Sequence, residues 1–289
     1  MNGAPETDHK VLLTLARFFL ATAEQLHQLH GGTSGIKQTQ KRMERLRTEG
    51  LTEFITLPQA GRAKAWYLTE TGSAVTATFP AARRPEPLVA PEQAALRYGR
   101  GHLLDLGRVH TAFVADARAR GESFGLLDFT PAPTHPVDLA APAGPAYRPA
   151  AELAYTATTN TGRRRLRAFL ELHHPDSGTE QTAEQLAACA RLWQQPGPGG
   201  TGWARERRWR PFPALLVVLT GTPAGAVGTA VEDLLLAAEE NPATADLLAA
   251  VPAGAARLED LVQHGPAAAI WHPLSDEGQP PVGWTALRP

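Results

Sequence analysis

Residues 22–68 read TAEQLHQLHGGTSGIKQTQKRMERLRTEGLTEFITLPQAGRAKAWYL, and the punctuation of this stretch decides the fold of the first part of the chain. Thr22 followed by Gln25 has the spacing of a capping box, in which a hydroxyl and an amide satisfy the free N–H groups at a helix start. A short helix is therefore expected over 23–29. Gly31, Gly32 and Gly35 supply turn residues, and Thr33 and Ser34 offer hydroxyl caps for the next helix. From Ile36 to Glu49, Thr39, Met43 and Leu46 fall on one helical face, and Gly50 supplies the stop. Leu51–Leu57 then alternates as a strand, 58–64 carries turn residues, and Ala65–Leu68 returns with strand-forming Trp66 and Tyr67. Helix, turn, helix and hairpin follow in the order of a winged helix-turn-helix.

The flanks fit the same reading. Val11, Leu12, Leu15, Phe18 and Phe19 mark a preceding helix buried on one face, and Thr69-Glu70-Thr71-Gly72 opens a short helix after the hairpin. The winged helix-turn-helix is assigned to residues 1–79. Residues 80–91 (PAARRPEPLVAP) form a proline-rich linker. In 92–121, Leu96, Leu103, Leu106, Val109, Phe113 and Val114 share a helical stripe interrupted by Gly99 and Gly101. Strands are expected at Phe124–Phe129, Ala151–Tyr155, Leu166–Leu172, Ala214–Leu219 and, late in the chain, Ala267–Trp271. Helices are expected at Thr179–Gln194 and Ala226–Glu240, and 195–202 (QPGPGGTG) reads as a surface loop. Such a mixture predicts an α+β or α/β domain over 92–289, built on a mixed sheet.

Composition narrows the function classes. The 289 residues are 43% hydrophobic and 20% charged, ordinary values for a globular protein. No apolar run approaches the roughly 20 residues of a membrane span, and the first residues lack the pattern of a secretory signal. A cytoplasmic protein with no membrane partner is expected. The single cysteine, Cys189, reads as a small buried hydrophobe. Net charge is −1, yet residues 1–84 hold 11 Lys and Arg against 7 Asp and Glu, a balance of +4, which leaves 17 against 22 for the rest. Basic charge gathers where the winged helix lies.

With Thr39, Met43 and Leu46 inward, the opposite face of that helix carries Lys37, Gln38, Lys41, Arg45 and Thr48. Such a face suits the major groove of duplex DNA, where Gln and Arg read base edges and Lys or Arg neutralise phosphate. Lys37, Gln38 and Lys41 are assigned to bases or nearby phosphates, and Arg42 and Arg45 to phosphates. Gln59, Arg62 and Lys64 lie at the hairpin tip, placed for backbone or minor-groove contact. His27 and His30 read as a surface pair. Two further basic clusters, Arg163-Arg164-Arg165-Leu166-Arg167 and Arg205–Arg210, extend a possible DNA track or form solvated loops.

The strings LLTLARFFLATAEQLHQL (12–29), TQKRMERLRTEGL (39–51), AWYLTETG (65–72), YRPAAELAY (147–155) and RRLRAFLELHHPDSGTEQTAEQLAACARLW (164–193) resemble the replication-relaxation family of actinobacterial plasmids and mobile elements. The resemblance implies a winged helix joined to a restriction-endonuclease-like domain, acting in plasmid replication or DNA relaxation. Nucleases of that fold set carboxylates on two adjacent strands to hold a divalent metal against the scissile phosphate. Here Arg148-Pro149-Ala150-Ala151-Glu152 has alanine where the pattern puts aspartate. Glu171-Leu172-His173 has histidine where related members of the family carry aspartate and active nucleases of that fold carry lysine. If activity survives, Glu152, Glu171 and His173 are the candidates, with Glu152 replacing the lost carboxylate and magnesium as the cofactor. Otherwise the domain is a degenerate scaffold that docks DNA or protein. A phosphate-binding P-loop, paired Cys-x-x-Cys and His-Glu-x-x-His are all missing. The expected function is therefore a duplex-DNA-binding protein with no cofactor. A metal-dependent nicking endonuclease is the first alternative. A homodimeric winged-helix repressor, with 92–121 as its dimer helix, is the second.

Overall fold

A computed structural model describes residues 6–57, 63–79, 100–138, 144–159, 162–175, 178–195, 209, 211–275 and 278–289. The chain divides into two compact units, Met1–Ala115 and Asp116–Pro289. The proline-rich stretch 80–91 and the hairpin tip at Gln59 and Arg62 lie outside the described residues.

Unit 1 begins with α1 (Glu6–Phe18), followed by β1 (Ala21–Thr22), α2 (Ala23–His30) and α3 (Ile36–Thr48). The strands β2 (Thr52–Leu57) and β3 (Ala63–Leu68) form the wing, and α4 (Glu70–Ala77) follows. The wing is antiparallel, with Thr52 opposite Leu68 and Leu57 opposite Ala63, and β1 pairs on the outer side of β3. The order β1-β3-β2 and the three preceding helices make a winged helix. Its core joins Val11, Leu12 and Leu15 of α1, Leu26 of α2, Met43 and Leu46 of α3, and Trp66 and Leu68 of β3. Those are the positions that the helical and alternating patterns turn inward, and their burial is the main driving force for this small unit.

Local chemistry fixes the element ends. The Thr22 N–H donates to Gln25 Oε1 at 2.8 Å, and the Gln25 N–H donates to the Thr22 hydroxyl at 3.3 Å, so the capping box forms as read. The same Gln25 amide donates through Nε2 to the Leu104 carbonyl at 2.8 Å. Leu104 belongs to α5 (Arg100–Arg120), in which Gly101 is helical and no break occurs there. Gly107 makes this approach possible, because a Cβ there would lie 2.7 Å from Gln25 Nε2. The expected hydroxyl cap of α3 is absent. Ser34 turns its hydroxyl back to the Gly31 carbonyl, and α3 starts from Gly35 without a side-chain cap. Gly50 ends α3 at a φ of 75°, in the left-handed region that glycine tolerates.

Unit 2 is built on a six-stranded mixed sheet in the order β11-β10-β9-β8-β7-β4. Its strands are β4 (Phe129–Pro131), β7 (Ala151–Thr159), β8 (Gly162–His173), β9 (Ala214–Leu219), β10 (Ala253–Arg257) and β11 (His272–Pro273). A two-stranded ribbon pairs β5 (His135–Pro136) with β6 (Ala146–Tyr147). Strands β4, β7 and β8 pair antiparallel in succession, β8, β9 and β10 pair parallel, and β11 is antiparallel to β10. Helices α6 (Gly178–Gln194), α7 (Val227–Glu239) and α8 (Pro242–Ala250) supply the helical layer, and α9 (Leu258–His264) follows β10. One core joins Phe169, Leu215, Val217 and Leu219 of the sheet to Leu186 and Cys189 of α6, Leu234 of α7 and Leu247 of α8. The uninterrupted apolar run of β9 is that of a central strand covered on both faces. Cys189 is buried as expected.

Two strand expectations are corrected. The segment 124–129 is not one strand, because the Asp128 carboxylate accepts from the Gly125 N–H at 3.1 Å and closes a 3-10 turn at Leu126–Asp128 before β4. The late strand is not Ala267–Trp271. Strand β11 begins after Trp271, which itself makes an isolated bridge to Val282. The helix expected over Ala226–Glu240 forms as Val227–Glu239, and Asn241, whose side chain accepts from the Ala243 N–H, then starts α8.

Candidate nucleic-acid interface and a closed carboxylate site

On α3, Thr39, Met43 and Leu46 are buried, which turns Lys37, Gln38, Lys41 and Arg45 outward as exposed residues. Among the described residues, the side chains of Lys37, Gln38 and Lys41 make no hydrogen bond or ion pair, which leaves their donors facing solvent. The neighbouring arginines are engaged. Arg42 Nε donates to Asp8 Oδ1 at 2.9 Å, and Arg45 bonds the other oxygen of the same carboxylate. Asp8 is fully buried on α1, so the pair of arginines closes over it and pins α1 to α3. Arg45 also reaches Glu49 at 2.9 Å, and these acidic partners hold its guanidinium above the ordinary arginine value.

The wing is tied to α3 in the same way. Lys64 bonds Glu44 and lies 4.0 Å from the centre of the Phe54 ring, while Arg47 Nε donates to Glu53 at 2.7 Å. Lys64 is thus held between a carboxylate and an aromatic face. His27 and His30 are half-buried tethers, each bonded to a neighbouring helix, and do not act as a free surface pair. His27 Nδ1 shares a hydrogen bond with Thr39 at 3.0 Å, and His30 Nε2 shares one with Thr14 at 2.7 Å. Each links α2 to one of its neighbours.

In unit 2, β7 and β8 are adjacent antiparallel strands, and the register Ala151↔Leu170 sets Ala150 across from Glu171. The alternation of the pleat puts Ala150, Glu152 and Glu171 on one face. Glu171 is 5% exposed. The Tyr147 hydroxyl donates to its Oε1 at 2.6 Å, and the Ala150 N–H donates to the same carboxyl group. Burial pushes the Glu171 carboxyl up to about 8, against the opposing pull of those two donors. Glu171 is therefore a neutral acid at pH 7. Desolvation raises the Tyr147 phenol and the Cys189 thiol as well, so the whole pocket is kept uncharged.

Glu152 sits opposite Phe169 and looks elsewhere. It lies 3.5 Å from His135 Nε2 and 3.7 Å from Arg167 Nη1, and accepts from Trp209 Nε1 at 3.3 Å. His173 is buried and shares a 2.7 Å hydrogen bond with Thr182 of α6. Burial and the nearby His174 lower its basicity. The pattern thus does bring Glu152, Glu171 and His173 to neighbouring strands, but each is committed to a different partner. Tyr147, which opens the string YRPAAELAY, is the residue that sequence reasoning passed over. Nothing in the spacing marks it as the partner of a carboxyl group 24 positions later.

Magnesium takes ionised oxygen ligands in near-octahedral array. A methyl group at Ala150, a neutral Glu171, an ion-paired Glu152 and a His173 bonded to threonine do not provide them. Among the described residues, no group of three or more His, Cys, Asp and Glu could hold a metal ion. No described helix is long and apolar enough to cross a membrane.

The profile of the family described as Replication-relaxation matches residues 12–191. The chain belongs to the replication-relaxation family. That match takes in the winged helix, β7, β8 and nearly all of α6, and so spans both the basic face of α3 and the closed carboxylate site. Among solved structures, a mutant of Lactococcus lactis ZitR is similar to this replication-relaxation protein at 17% identity, over 27% of this chain and 56% of that one, with a TM-score of 0.21. No curated protein matches.

Proposed function

We propose that this replication-relaxation protein binds duplex DNA through α3 and the wing, as a step in plasmid replication or relaxation. The observation that carries the reading is the outward face of α3, where Lys37, Gln38 and Lys41 are exposed and without partners among the described residues. A helix of this kind fits the major groove, and unpaired lysines release counterions when they meet phosphate. Lys37, Gln38 and Lys41 make the groove contacts. Arg42 and Arg45, already shared with Asp8, offer their remaining N–H donors to the backbone. The wing adds Lys64 on the flank, and Arg62, which lies outside the described residues, is assigned beside it from the sequence alone. Lys37→Ala combined with Lys41→Ala is expected to weaken duplex binding at low salt by about 10-fold or more. The same variant makes the slope of log K against log salt shallower by about 1.8. Fluorescence anisotropy over a salt series measures both, and an unchanged affinity would refute the assignment. Lys41 and Arg45 are a poorer pair to remove together, since loss of Arg45 also disturbs the α1–α3 contact.

Unit 2 acts here as a scaffold without hydrolytic chemistry, since the groups that a metal-dependent nuclease needs are replaced or neutralised. Supercoiled plasmid incubated with the protein and magnesium is expected to stay supercoiled to the same extent for the wild type and Glu171→Ala. Nicking that needs magnesium and disappears with Glu171→Ala would overturn this.

A further inference from the structure

Strand β8 outruns its neighbour. It spans Gly162–His173, but its ladder with β9 begins only at Ala168↔Ala214. Residues 163–167 are therefore backed by β7 on one side and meet no ladder partner on the other among the described residues. Beyond the start of β9, this overhang borders a cleft of about 1090 Å3, together with the turn at Val251 and Pro252 and the segment 284–289. Of its apolar lining Trp193 is half-buried while Phe212, Val251 and Leu287 are buried, and Arg164, Arg165, Arg167 and Arg288 give the cleft a cationic rim. Among the described residues that line it there is no Asp or Glu.

The rim is only partly engaged. Arg164 and Arg165 are exposed and make no hydrogen bond or ion pair among the described residues. Arg167 lies 3.7 Å from Glu152, and Arg288 donates to the carbonyls of Thr285 and Leu287. We propose that this cleft binds single-stranded nucleic acid. Guanidinium groups match phosphate oxygens in pairs, while the half-buried Trp193 ring stacks on a base face that is open only when the strand is unpaired. A duplex hides those faces. The volume slightly exceeds the range of about 300–1,000 Å3 typical of small-ligand pockets, and so suits several linked units. The site is built from unit 2 residues alone and does not depend on the duplex reading.

The test uses the full chain with a labelled oligothymidylate of about 20 nucleotides and, separately, a duplex of the same length. Arg164→Ala combined with Arg165→Ala is expected to weaken strand binding by 10-fold or more. It should also make the salt slope for the strand shallower by about 1.4 and leave duplex affinity unchanged. Lys37→Ala with Lys41→Ala should do the reverse. Strand addition should quench tryptophan fluorescence in the wild type, and competition by polyuridylate would extend the ligand to RNA. Both arginines are exposed, and circular dichroism checks that the variant is folded. The proposal is overturned by an unchanged strand affinity in the arginine variant. It is equally overturned if strand binding is lost only with the α3 lysines, or if polyglutamate competes as well as the oligonucleotide.

Discussion

Glu171→Gln is expected to hold its stability as pH rises from 5 to 8.5 while the wild type loses several kcal/mol over the same interval. The folded protein keeps the Glu171 carboxyl protonated up to about 8, whereas the unfolded chain releases that proton near the ordinary carboxylate value. Between those two values the native state binds the extra proton, so stability falls as pH climbs. The contribution is fully present below the unfolded value and gone above about 8. At 1.36 kcal/mol for each unit of displacement, the loss reaches about 4 kcal/mol. Glutamine keeps the carbonyl acceptor for Tyr147 and has no proton to lose. Its own cost, about 1 kcal/mol for an amide N–H that must find a partner, is independent of pH. Urea unfolding of the two proteins at pH 5, 6.5 and 8.5 separates these terms, since every other titrating group contributes to both. Parallel curves would show that Glu171 is ionised in the folded state.

Asp8→Ala is expected to destabilise unit 1 by about 3 kcal/mol. The fully buried carboxylate receives N–H bonds from Arg42 and Arg45. Removing it deletes two charge-assisted bonds and leaves the Arg42 guanidinium, 23% exposed, without its counter-charge. Arg45 is more exposed and returns to water at little cost, so the penalty is below that of stranding a wholly buried ion. Thermal unfolding of Asp8→Ala, Arg42→Ala and the double variant forms a cycle in which the combined loss falls well short of the sum. Additive losses would mean that the pair does not hold α1 to α3.

Much of unit 1 was legible because its signals are local. The Thr22–Gln25 spacing, the inward positions Thr39, Met43 and Leu46, and the Gly50 stop each depend on residues within one or two helical turns. Asp8 was not legible, since its meaning comes from Arg42 and Arg45 more than 30 positions away. In unit 2, β9 announces itself as an apolar run, but β10 reads AGAAR and carries no strand signal. Its small residues are set by crowding. A Cβ at Gly254 would come within 2.8 Å of Leu287 and 3.3 Å of the His272 carbonyl. The candidate carboxylates were visible as residue types and even as strand neighbours. Their protonation was not, because it comes from burial under the helical layer, against the pull of the Tyr147 hydroxyl that arrives from the β5–β6 ribbon.

Gln25 gives unit 1 a mechanical character that its separate bonds do not suggest. One amide closes the first turn of α2 through its oxygen and grips the Leu104 carbonyl through its nitrogen, against a glycine that leaves no clearance for any larger residue. Fraying of α2 and release of α5 are consequently a single event. A pull on α5 therefore loads the amide that closes the first turn of α2.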